Sequence, residues 1–347
     1  MEGRGLDAVY ISRPVSIAYL TGFFADPHER LMGLSVRPAS ATLIVPALEQ
    51  QRASERAADV EIAAWRDGED PYALVARALP RTAEVGVEKD HLTLAVAEAI
   101  TTRGGISELI DVGAEIRRMR LLKTPEEVEH LARAAAITDE VTDDVISKLR
   151  AGESEVDVAF AIGSAIGARG GVLSFPSLVQ SGPNSALPHL EPSSRRLGRG
   201  DFVLLDFGAA EDGYKADMTR MAVVGEPSDR QSDIHRVVLA AHDAAVAAVR
   251  PGATTGDVDA AARRVIDTAG FGPNFVHRVG HGLGLEAHEA PSLDPGSKTV
   301  LESGMVFTVE PGIYIPGFGG VRIEDDVVVE EGGCRVLTNA DRKLRVV

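Results

Sequence analysis

The chain has 347 residues, of which 44% are hydrophobic and 25% are charged. This is an ordinary globular composition, which excludes disordered, collagen-like and coiled-coil classes, and the length predicts about two domains. Lys and Arg number 36 against 52 Asp and Glu, so the formal net charge is −16 and a nucleic-acid partner is not expected. We interpret the densest basic cluster, residues 117–120, as a solvated face or a domain junction beside a helical stretch.

The sequence also bears on the compartment. It contains no uninterrupted apolar run of about 18 residues, so no membrane-spanning helix is expected. The first 14 residues lack the charged and apolar segments of a secretory signal. Cys334 is the only cysteine, which excludes an intramolecular disulfide and favours the cytoplasm. Its Gly-Gly-Cys-Arg-Val context is typical of a strand start and not of a nucleophile.

The N-terminal third alternates β-rich and helical runs, which predicts an α/β domain with a small mixed sheet. The expected strands are 8–12, 41–45, 84–87 and 109–112. The expected helices are 48–58, 71–79 and 91–102. No cluster of chemically matched polar residues occurs there, so we expect this domain to be a scaffold.

A helix start marks the boundary between the domains. Thr124 suits the N-cap, Pro125 suits the first helical position, and Glu127 completes a capping box. Apolar residues then follow at helical spacing. We therefore expect domains at 1–120 and 121–347.

The second domain contains an internal repeat with a period of 100 residues. Six positions recur, namely Arg150, Gly152, Asp157, Val158, Ile166 and Gly170, as Arg250, Gly252, Asp257, Val258, Ile266 and Gly270. Each copy predicts a long helix, a Gly turn, a second helix, a loop and a two-stranded segment, at 202–224 and 305–329 respectively. We interpret the domain as two such halves folded around one site.

Each two-stranded segment places two carboxylates among apolar residues. Asp206 and Asp217 lie in the first, and Glu310 and Glu324 in the second. If the turn at 211–213 closes the first hairpin symmetrically, Asp206 lies directly opposite Asp217, and similar arithmetic pairs Glu310 with Glu324. Like charges that face each other on a half-buried sheet repel one another and are costly to desolvate. Two such pairs indicate bound cations.

A histidine-rich loop, residues 275–291, lies between these segments, and His281 with its flanking glycines is the best candidate for a nitrogen ligand. One nitrogen and four carboxylates suit two ions of Mn²⁺, Co²⁺, Fe²⁺ or Zn²⁺. We interpret two further acidic residues, Asp201 and Asp326, as caps or surface ion pairs. Motifs for phosphate loops, dinucleotide binding and the GxSxG nucleophile are absent from the sequence.

Several motifs resemble the pita-bread metallopeptidases, a family that includes methionine aminopeptidase, aminopeptidase P, prolidase and creatinase. They are DFG…ADMTR, HGLGLEAHE, EPGIY and VRIEDD. Residues 7–23 resemble the creatinase-type N-terminal domain, which points to the proline-specific branch. The resemblance implies an α+β protein, with a creatinase-like N-terminal α/β domain followed by a pita-bread domain with pseudo-twofold repeat.

The resemblance also implies roles for particular residues. The metal ligands would be Asp206, Asp217, His281, Glu310 and Glu324. The other implied site residues are His189 and His288 in catalysis, Glu310 in proton transfer, His277 in substrate binding, and Arg322 and Thr219 beside the ligands. Two divalent ions, most readily Mn²⁺ or Co²⁺, would activate a water molecule that attacks the bond between the first residue and proline.

Two proline-specific activities fit this resemblance. Aminopeptidase P acts on longer Xaa-Pro peptides, and prolidase acts on dipeptides only. The short segment after EPGIY lacks the Arg-bearing insertion of long-chain prolidases, so we expect aminopeptidase P, with prolidase as the alternative. A creatinase-like hydrolase or a dead peptide-binding module is a remote alternative. We also expect a homodimer in which the loop 23–31, with His28 and Arg30, reaches the partner's pocket, where Arg30 would bind substrate.

Overall fold

In the computed structural model, which describes residues 3, 5–81 and 84–347, the chain divides into two units, Met1–Arg120 and Leu121–Val347. Each has its own buried clusters of apolar side chains. None of the helices in the described ranges is long and apolar enough to cross a membrane. The α+β class expected from the sequence is confirmed.

The N-terminal unit is built on a six-stranded mixed sheet with strand order β4-β3-β2-β1-β5-β6. Its strands are β1 Val9–Ile11, β2 Gly33–Arg37, β3 Ser40–Pro46, β4 Glu61–Trp65, β5 Glu84–Val87 and β6 Glu108–Asp111. Its helices are α1 Pro14–Thr21, α2 Gln50–Arg56, α3 Pro71–Ala78, α4 Leu94–Gly104 and α5 Gly113–Leu121. The sequence analysis missed β2, β4, α1 and α5.

Both faces of this sheet are covered, because successive residues of a strand point to opposite sides. Val9 and Ile11 join the apolar cluster that contains Ile17 of α1. Tyr10 joins the cluster that contains Val75 of α3. The basic residues 117–120 belong to α5, where Arg120 is buried and does not form part of a solvated face.

The second unit contains four helices of the repeat and several small sheets. The helices are α6 Pro125–Lys148, α7 Glu155–Ala168, α8 Asp229–Ala248 and α9 Thr255–Thr268. The strands of the first half are β7 Val172–Leu173, β8 Leu178–Ser181, β9 Phe202–Phe207, β10 Ala209–Glu211, β11 Tyr214–Lys215 and β12 Met218–Val223. The strands that follow are β13 His281–Gly282, β14 Glu289–Ser292, β15 Val306–Val309, β16 Gly312–Ile315, β17 Gly319–Arg322, β18 Asp325–Glu330, β19 Gly333–Val336 and β20 Arg345–Val346.

The start of this unit agrees with the sequence analysis. Thr124 caps α6, its hydroxyl accepting from the Glu127 amide, while the Glu127 carboxylate accepts from the Thr124 amide. Such a reciprocal cap satisfies two amide groups that the helix itself leaves unpaired. Pro125 occupies the first helical position, which needs no amide donor.

The repeat is a repeat of structure as well as of sequence. Helices α7 and α9 begin and end at positions 100 residues apart, and each starts at a capping box closed by Asp157 or Asp257. The preceding turns use Gly152 and Gly252 at φ of 92° and 86°, a backbone region that favours glycine. The predicted pseudo-twofold arrangement is therefore confirmed, and it brings the two hairpins, β9/β12 and β15/β18, into equivalent places.

The register of the first hairpin differs from the prediction. Asp206 lies opposite Thr219, and Glu211 lies opposite Tyr214, so the turn consists of Asp212 and Gly213 alone. Both turn residues have positive φ, which suits a two-residue hairpin. Our assumption of a three-residue turn was wrong, and the predicted partner of Asp206, Asp217, lies two residues from the observed partner. Because residues two apart share a face, Asp217 still lies on the face of Asp206, as a diagonal neighbour.

Candidate active site

The expected ligands lie together in one cavity of about 440 Å³ in the second unit. Its walls include Asp206, Asp217, His277, Arg278, His281, His288, Glu310, Arg322 and Glu324, with Phe175, Leu178, Pro188, His189 and Ala287 at other positions. The hairpin β9/β12 supplies the two aspartates. The ladders on either side of Glu310 and Glu324, Val309 with Asp325 and Gly312 with Arg322, place these two glutamates across from each other.

Three overlapping groups of ligand atoms link the five expected metal ligands. Within each group all the atoms lie within 4.8 Å of one another. The groups are Asp206 with Asp217 and Glu324, His281 with Glu310 and Glu324, and Asp217 with His281 and His288. The five residues therefore surround a common space, with His288 at its edge.

The imidazole of His281 is oriented for cation binding. Its Nδ1 lies 3.2 Å from the Gly282 carbonyl oxygen, so Nδ1 carries the proton and Nε2 keeps its lone pair. Nε2 lies 3.3 Å from Glu310 Oε1 and 3.8 Å from Asp217 Oδ2. Burial lowers the pKa of His281 to about 3, which keeps the ring neutral. The lone pair of Nε2 thus points at carboxylate oxygens, an arrangement that fits a bound cation.

The buried carboxylates of the cavity also indicate a cation site. Asp206 Oδ1 and Asp217 Oδ1 are buried and, within the described residues, have no hydrogen-bond donor. Burial raises the pKa of Asp217 well above its usual range, and the charges of Glu324 and Asp206 raise it further. Unpaired, mutually repelling oxygens are expensive in a protein interior unless cations compensate them. The donor set is mostly hard oxygen, which suits Mn²⁺, Co²⁺, Fe²⁺ or Zn²⁺.

A hydrogen-bonded chain behind the ligands fixes their orientation. Arg322 donates to Asp206 Oδ2 through NH2, to Thr219 Oγ1 at 3.0 Å and to the Tyr314 hydroxyl at 2.8 Å. Thr219 in turn donates to Glu324 Oε2 at 2.5 Å. The Arg322 guanidinium is therefore engaged by one expected metal ligand, Asp206, and by the hydroxyl groups of Thr219 and Tyr314.

The pocket histidine His277 belongs to the same chain. Its Nδ1 lies 2.7 Å from the Arg278 carbonyl and its Nε2 lies 2.9 Å from the Tyr314 hydroxyl. Nδ1 therefore donates, and Nε2 accepts from Tyr314. Burial, and next the charge of Arg322, lower the pKa of His277 to about 4, so it is neutral.

The other two histidines, His189 and His288, are exposed at the rim of the cavity. The loop of His189 is held by Gln180, whose amide nitrogen donates to the carbonyls of Leu187 and Leu190, both at 2.9 Å. The His288 ring lies against His281, with 3.8 Å between ring centroids. Both imidazoles face the space where a substrate would lie.

Comparison with known proteins agrees with this geometry. Residues 129–331 match the model of metallopeptidase family M24, and residues 1–122 match the creatinase/prolidase N-terminal domain. The chain belongs to metallopeptidase family M24. This M24 peptidase is 40% identical to a Xaa-Pro dipeptidase of Lactobacillus helveticus, with 100% of the chain and 96% of that protein covered.

Solved structures similar to the M24 peptidase include both proline-specific activities. A Xaa-Pro dipeptidase from Bacillus anthracis matches with a TM-score of 0.93 and 36% identity, covering 100% of this chain and 96% of that chain. An X-Pro aminopeptidase from Thermotoga maritima matches with a TM-score of 0.91 and 32% identity, covering 99% and 98%. The fold and the metallopeptidase class follow from these matches.

Two features of the M24 peptidase site escaped the sequence analysis. Asp326 is buried and accepts from the Asp217 amide at 3.0 Å, so our interpretation of it as a cap or surface ion pair was wrong. Asp201, by contrast, pairs with Arg195 at 2.6 Å as expected. Arg278 lines the cavity and had not been singled out, although it stands three residues before His281 in the histidine-rich loop.

Arg278 differs from Arg322 in its partners. It donates from NH1 to Ser292 Oγ at 2.8 Å, and it forms no ion pair with a carboxylate in the ranges that the structure describes. Burial lowers the pKa of His288, and the charge of Arg278 lowers it further, as expected for a cation close to the ring. The guanidinium of Arg278 therefore retains donors for an anionic group in the cavity.

The expected substrate residue Arg30 lies in the N-terminal unit. Its guanidinium donates to both oxygens of Asp67, each at 3.0 Å, and also to Glu29. The neighbouring His28 has a positive φ of 52°, in an exposed turn. The reach of this loop into a partner's pocket stays a prediction.

The carboxylate cluster predicts a pH-dependent stability for the metal-free enzyme. Burial raises the pKa of Glu310 from 4.5 to about 7, so the folded state binds more protons than the unfolded chain between these values. The contribution of Glu310 to the free energy of unfolding should therefore fall by about 3 kcal/mol as the pH rises from about 5 to 8. Because burial lowers the pKa of His277 and His281 to about 4 and 3, their contribution rises up to about pH 6.5, so the contribution of Glu310 is the difference between wild type and Glu310→Gln. Thermal melts across this range, with a chelator or with excess Mn²⁺, measure the effect. Parallel melting curves with and without metal would contradict it.

Proposed function

We propose that the chain is a Xaa-Pro dipeptidase, which hydrolyses the bond between the first residue and proline in dipeptides. The relatives described as Xaa-Pro dipeptidases favour this alternative over the aminopeptidase P activity that we expected from the sequence. The observation that carries the proposal is Arg278, a cavity cation without a carboxylate partner among the described residues.

Arg278 would distinguish dipeptides from longer peptides. In a dipeptide the proline carries a free carboxylate, and a guanidinium binds such a group through charge-assisted hydrogen bonds. In a longer peptide the same position is an uncharged amide. A cation in the cavity thus favours dipeptides. Arg278 could therefore replace the arginine that long-chain prolidases carry in an insertion after EPGIY, which this chain lacks.

The remaining roles follow from position and protonation. Asp206, Asp217, His281, Glu310 and Glu324 would hold two divalent ions. Such ions lower the pKa of a water molecule and polarise the scissile carbonyl. Glu310, whose Oε1 lies 3.3 Å from His281 Nε2 at the centre of the cluster, would accept a proton from the attacking water.

The two histidines at the rim complete the proposed reaction. His288 would donate a hydrogen bond to the carbonyl oxygen as negative charge develops on it, an effect of about 3–4 kcal/mol for one good donor. His189 would assist the proline nitrogen as it leaves. His277 lines the substrate position as a neutral group.

The substrate proposal is tested by replacing Arg278 with Ala. We expect KM for Ala-Pro to rise by roughly 30- to 100-fold, the cost of about 2–3 kcal/mol for a lost charged hydrogen bond. Hydrolysis of Ala-Pro-Ala should change by less than threefold. Steady-state kinetics on the two substrates, after loading with Mn²⁺ or Co²⁺, give both values.

Two further variants make this test specific. Arg278→Lys retains the charge but not the forked donors, so it should fall between wild type and Ala. Arg264→Ala, which removes an exposed arginine from α9, is the matched control and should leave both substrates unaffected. Equal losses on the dipeptide and the tripeptide in Arg278→Ala would contradict the proposal.

We propose a cytoplasmic homodimer in which the loop with His28 and Arg30 borders the partner's active site. Sedimentation velocity tests the dimer, and a monomer at micromolar concentration would contradict it. Because Arg30 is already paired with Asp67, Arg30→Ala should affect substrate binding only if this pair opens in the dimer.

A further inference from the structure

A buried ion pair lies directly behind the His288 loop. Lys123 Nζ is 2.7 Å from Glu289 Oε1, and the two side chains are only 1% and 7% exposed. Lys123 itself is fixed at the start of α6, where its amide donates to the Gly304 carbonyl at 2.8 Å. Breaking a buried ion pair is strongly destabilising, so each of the two groups stabilises the position of the other.

The pair lies at the base of the segment that carries His288. Glu289 follows His288 in the chain and starts β14. The loop of residues 283–288 packs onto the pair, since a Cβ on Gly284 would lie 2.7 Å from Glu289 Oε1 and 3.1 Å from Lys123 Cε. The loop can therefore approach this closely only with glycine at that position.

His288 has little else to hold it. No hydrogen bond of its ring is found in the described part of the chain, and its side chain is exposed. Its contact with His281 fixes the distance between the rings, but the backbone of the loop decides where the imidazole lies. A group that stabilises a developing charge must be held close to its productive position.

We propose that Lys123 and Glu289 are positioning residues, a buried ion pair that anchors the loop 283–288 and so places His288 over the scissile carbonyl. The inference rests on the proposed function, because it uses the assignment of His288 to the carbonyl oxygen. According to this inference, Lys123, which directly precedes α6, helps to define the position of a catalytic side chain.

The anchor is tested first without any substrate. Hydrogen exchange is measured in the full-length, metal-loaded enzyme at the amides of Leu283 and Gly284, which donate to the Val306 and Glu286 carbonyls. In Lys123→Met we expect exchange at these amides to be roughly tenfold faster or more. Unchanged protection would overturn the inference, whatever the substrate of the enzyme.

Two control variants distinguish the loss of the proposed anchor from a general loss of stability. Lys123→Met/Glu289→Leu replaces both members of the pair by apolar side chains, which removes the buried carboxylate together with the lysine and should restore folding while the loop stays loose. Ile146→Ala destabilises the buried face of α6 and should leave exchange in the loop unchanged. If Ile146→Ala loosens the loop equally, the pair is not its specific anchor and the inference fails.

Kinetics then connect the loop to His288. Lys123→Met/Glu289→Leu should lower kcat on Ala-Pro by roughly 10- to 100-fold with little change in KM. In a His288→Ala background the same pair of changes should lower kcat by less than twofold, because the positioned group is gone. If kcat of the triple variant falls by the product of the loss from Lys123→Met/Glu289→Leu and the loss from His288→Ala, the inference is overturned. If the wild type leaves Xaa-Pro substrates intact, the proposed function fails, and the exchange experiment still decides the anchor.

Discussion

Asp217→Asn is expected to abolish peptide hydrolysis, with kcat lower by at least roughly 10³-fold. Asp217 belongs to two of the three groups of ligand atoms and has a buried oxygen without a donor in the described chain. Neutralising it removes one charge that would hold the ions, and with them several kcal/mol of stabilisation of the reaction's developing charge. Metal analysis and activity measured on the same preparation give the result.

The matched control is Asp201→Asn, which neutralises a carboxylate paired with Arg195 outside the cavity. It should retain metal and activity. Dialysis of the wild type against a chelator should reproduce the Asp217→Asn defect, and Mn²⁺ or Co²⁺ should reverse it in the wild type only. Full activity in metal-free wild type would rule out the proposed mechanism.

The second large effect is expected at the two rim histidines. His288→Ala and His189→Ala should each lower kcat by roughly 10²–10³, the size expected for the loss of one preorganised donor. Neither belongs to the five proposed ligands, so the metal content should stay near that of the wild type. Single-turnover kinetics with Ala-Pro, together with metal analysis, separate the loss of a donor from the loss of an ion.

His130→Ala provides the control, since His130 is held by Glu211 at 2.8 Å and does not line the cavity. It should leave kcat unchanged. Because His288 shares a group of ligand atoms with Asp217 and His281, one outcome would revise the assignment. If His288→Ala empties the site, His288 is itself a ligand.

Local patterns predicted much of the catalytic domain. The capping box at Thr124, the 100-residue repeat and the carboxylates of the two hairpins all depend on residues close in sequence or on a fixed period. Short-range rules therefore located the helices and brought the expected ligands to one face. The N-terminal strand β4, Glu61–Trp65, was missed because its Ala-rich sequence has little β-propensity.

The register of the first hairpin illustrates a different limit. The sequence permits either a two-residue or a three-residue turn around Asp212, and the choice shifts every cross-strand partner. Asp206 consequently faces Thr219, whose hydroxyl donates to Glu324. Asp206 and Asp217 share a face only in the two-residue register, because Asp217 then lies two residues from Thr219, the partner of Asp206. A three-residue turn would pair Asp206 with Met218 and would place Asp217 on the other face.

The features that were missed or misinterpreted join distant parts of the chain. Lys123 and Glu289 are 166 positions apart, and Asp326 receives the amide of Asp217 across 109 positions. No local pattern marks such a pair, and a lone lysine or aspartate is most often solvated. Arg278 lies within the histidine-rich loop that the sequence analysis had singled out. Its position in the wall of the cavity, however, is what distinguishes it from a surface arginine, and the sequence does not show this position.

The duplicated architecture has a consequence for the fate of the protein in a cell. Each half of the repeat contributes two of the four proposed carboxylate ligands, so neither half can retain the ions alone. Ions bound between the halves by the proposed ligands would act as a removable crosslink, and their binding energy would add to the stability of the folded state. Opening either hairpin discards at least two ligands and exposes apolar strands at the same time. Molecules that lack metal and molecules that are susceptible to proteases should then be largely one population, so metal supply would set the abundance of the enzyme as well as its activity.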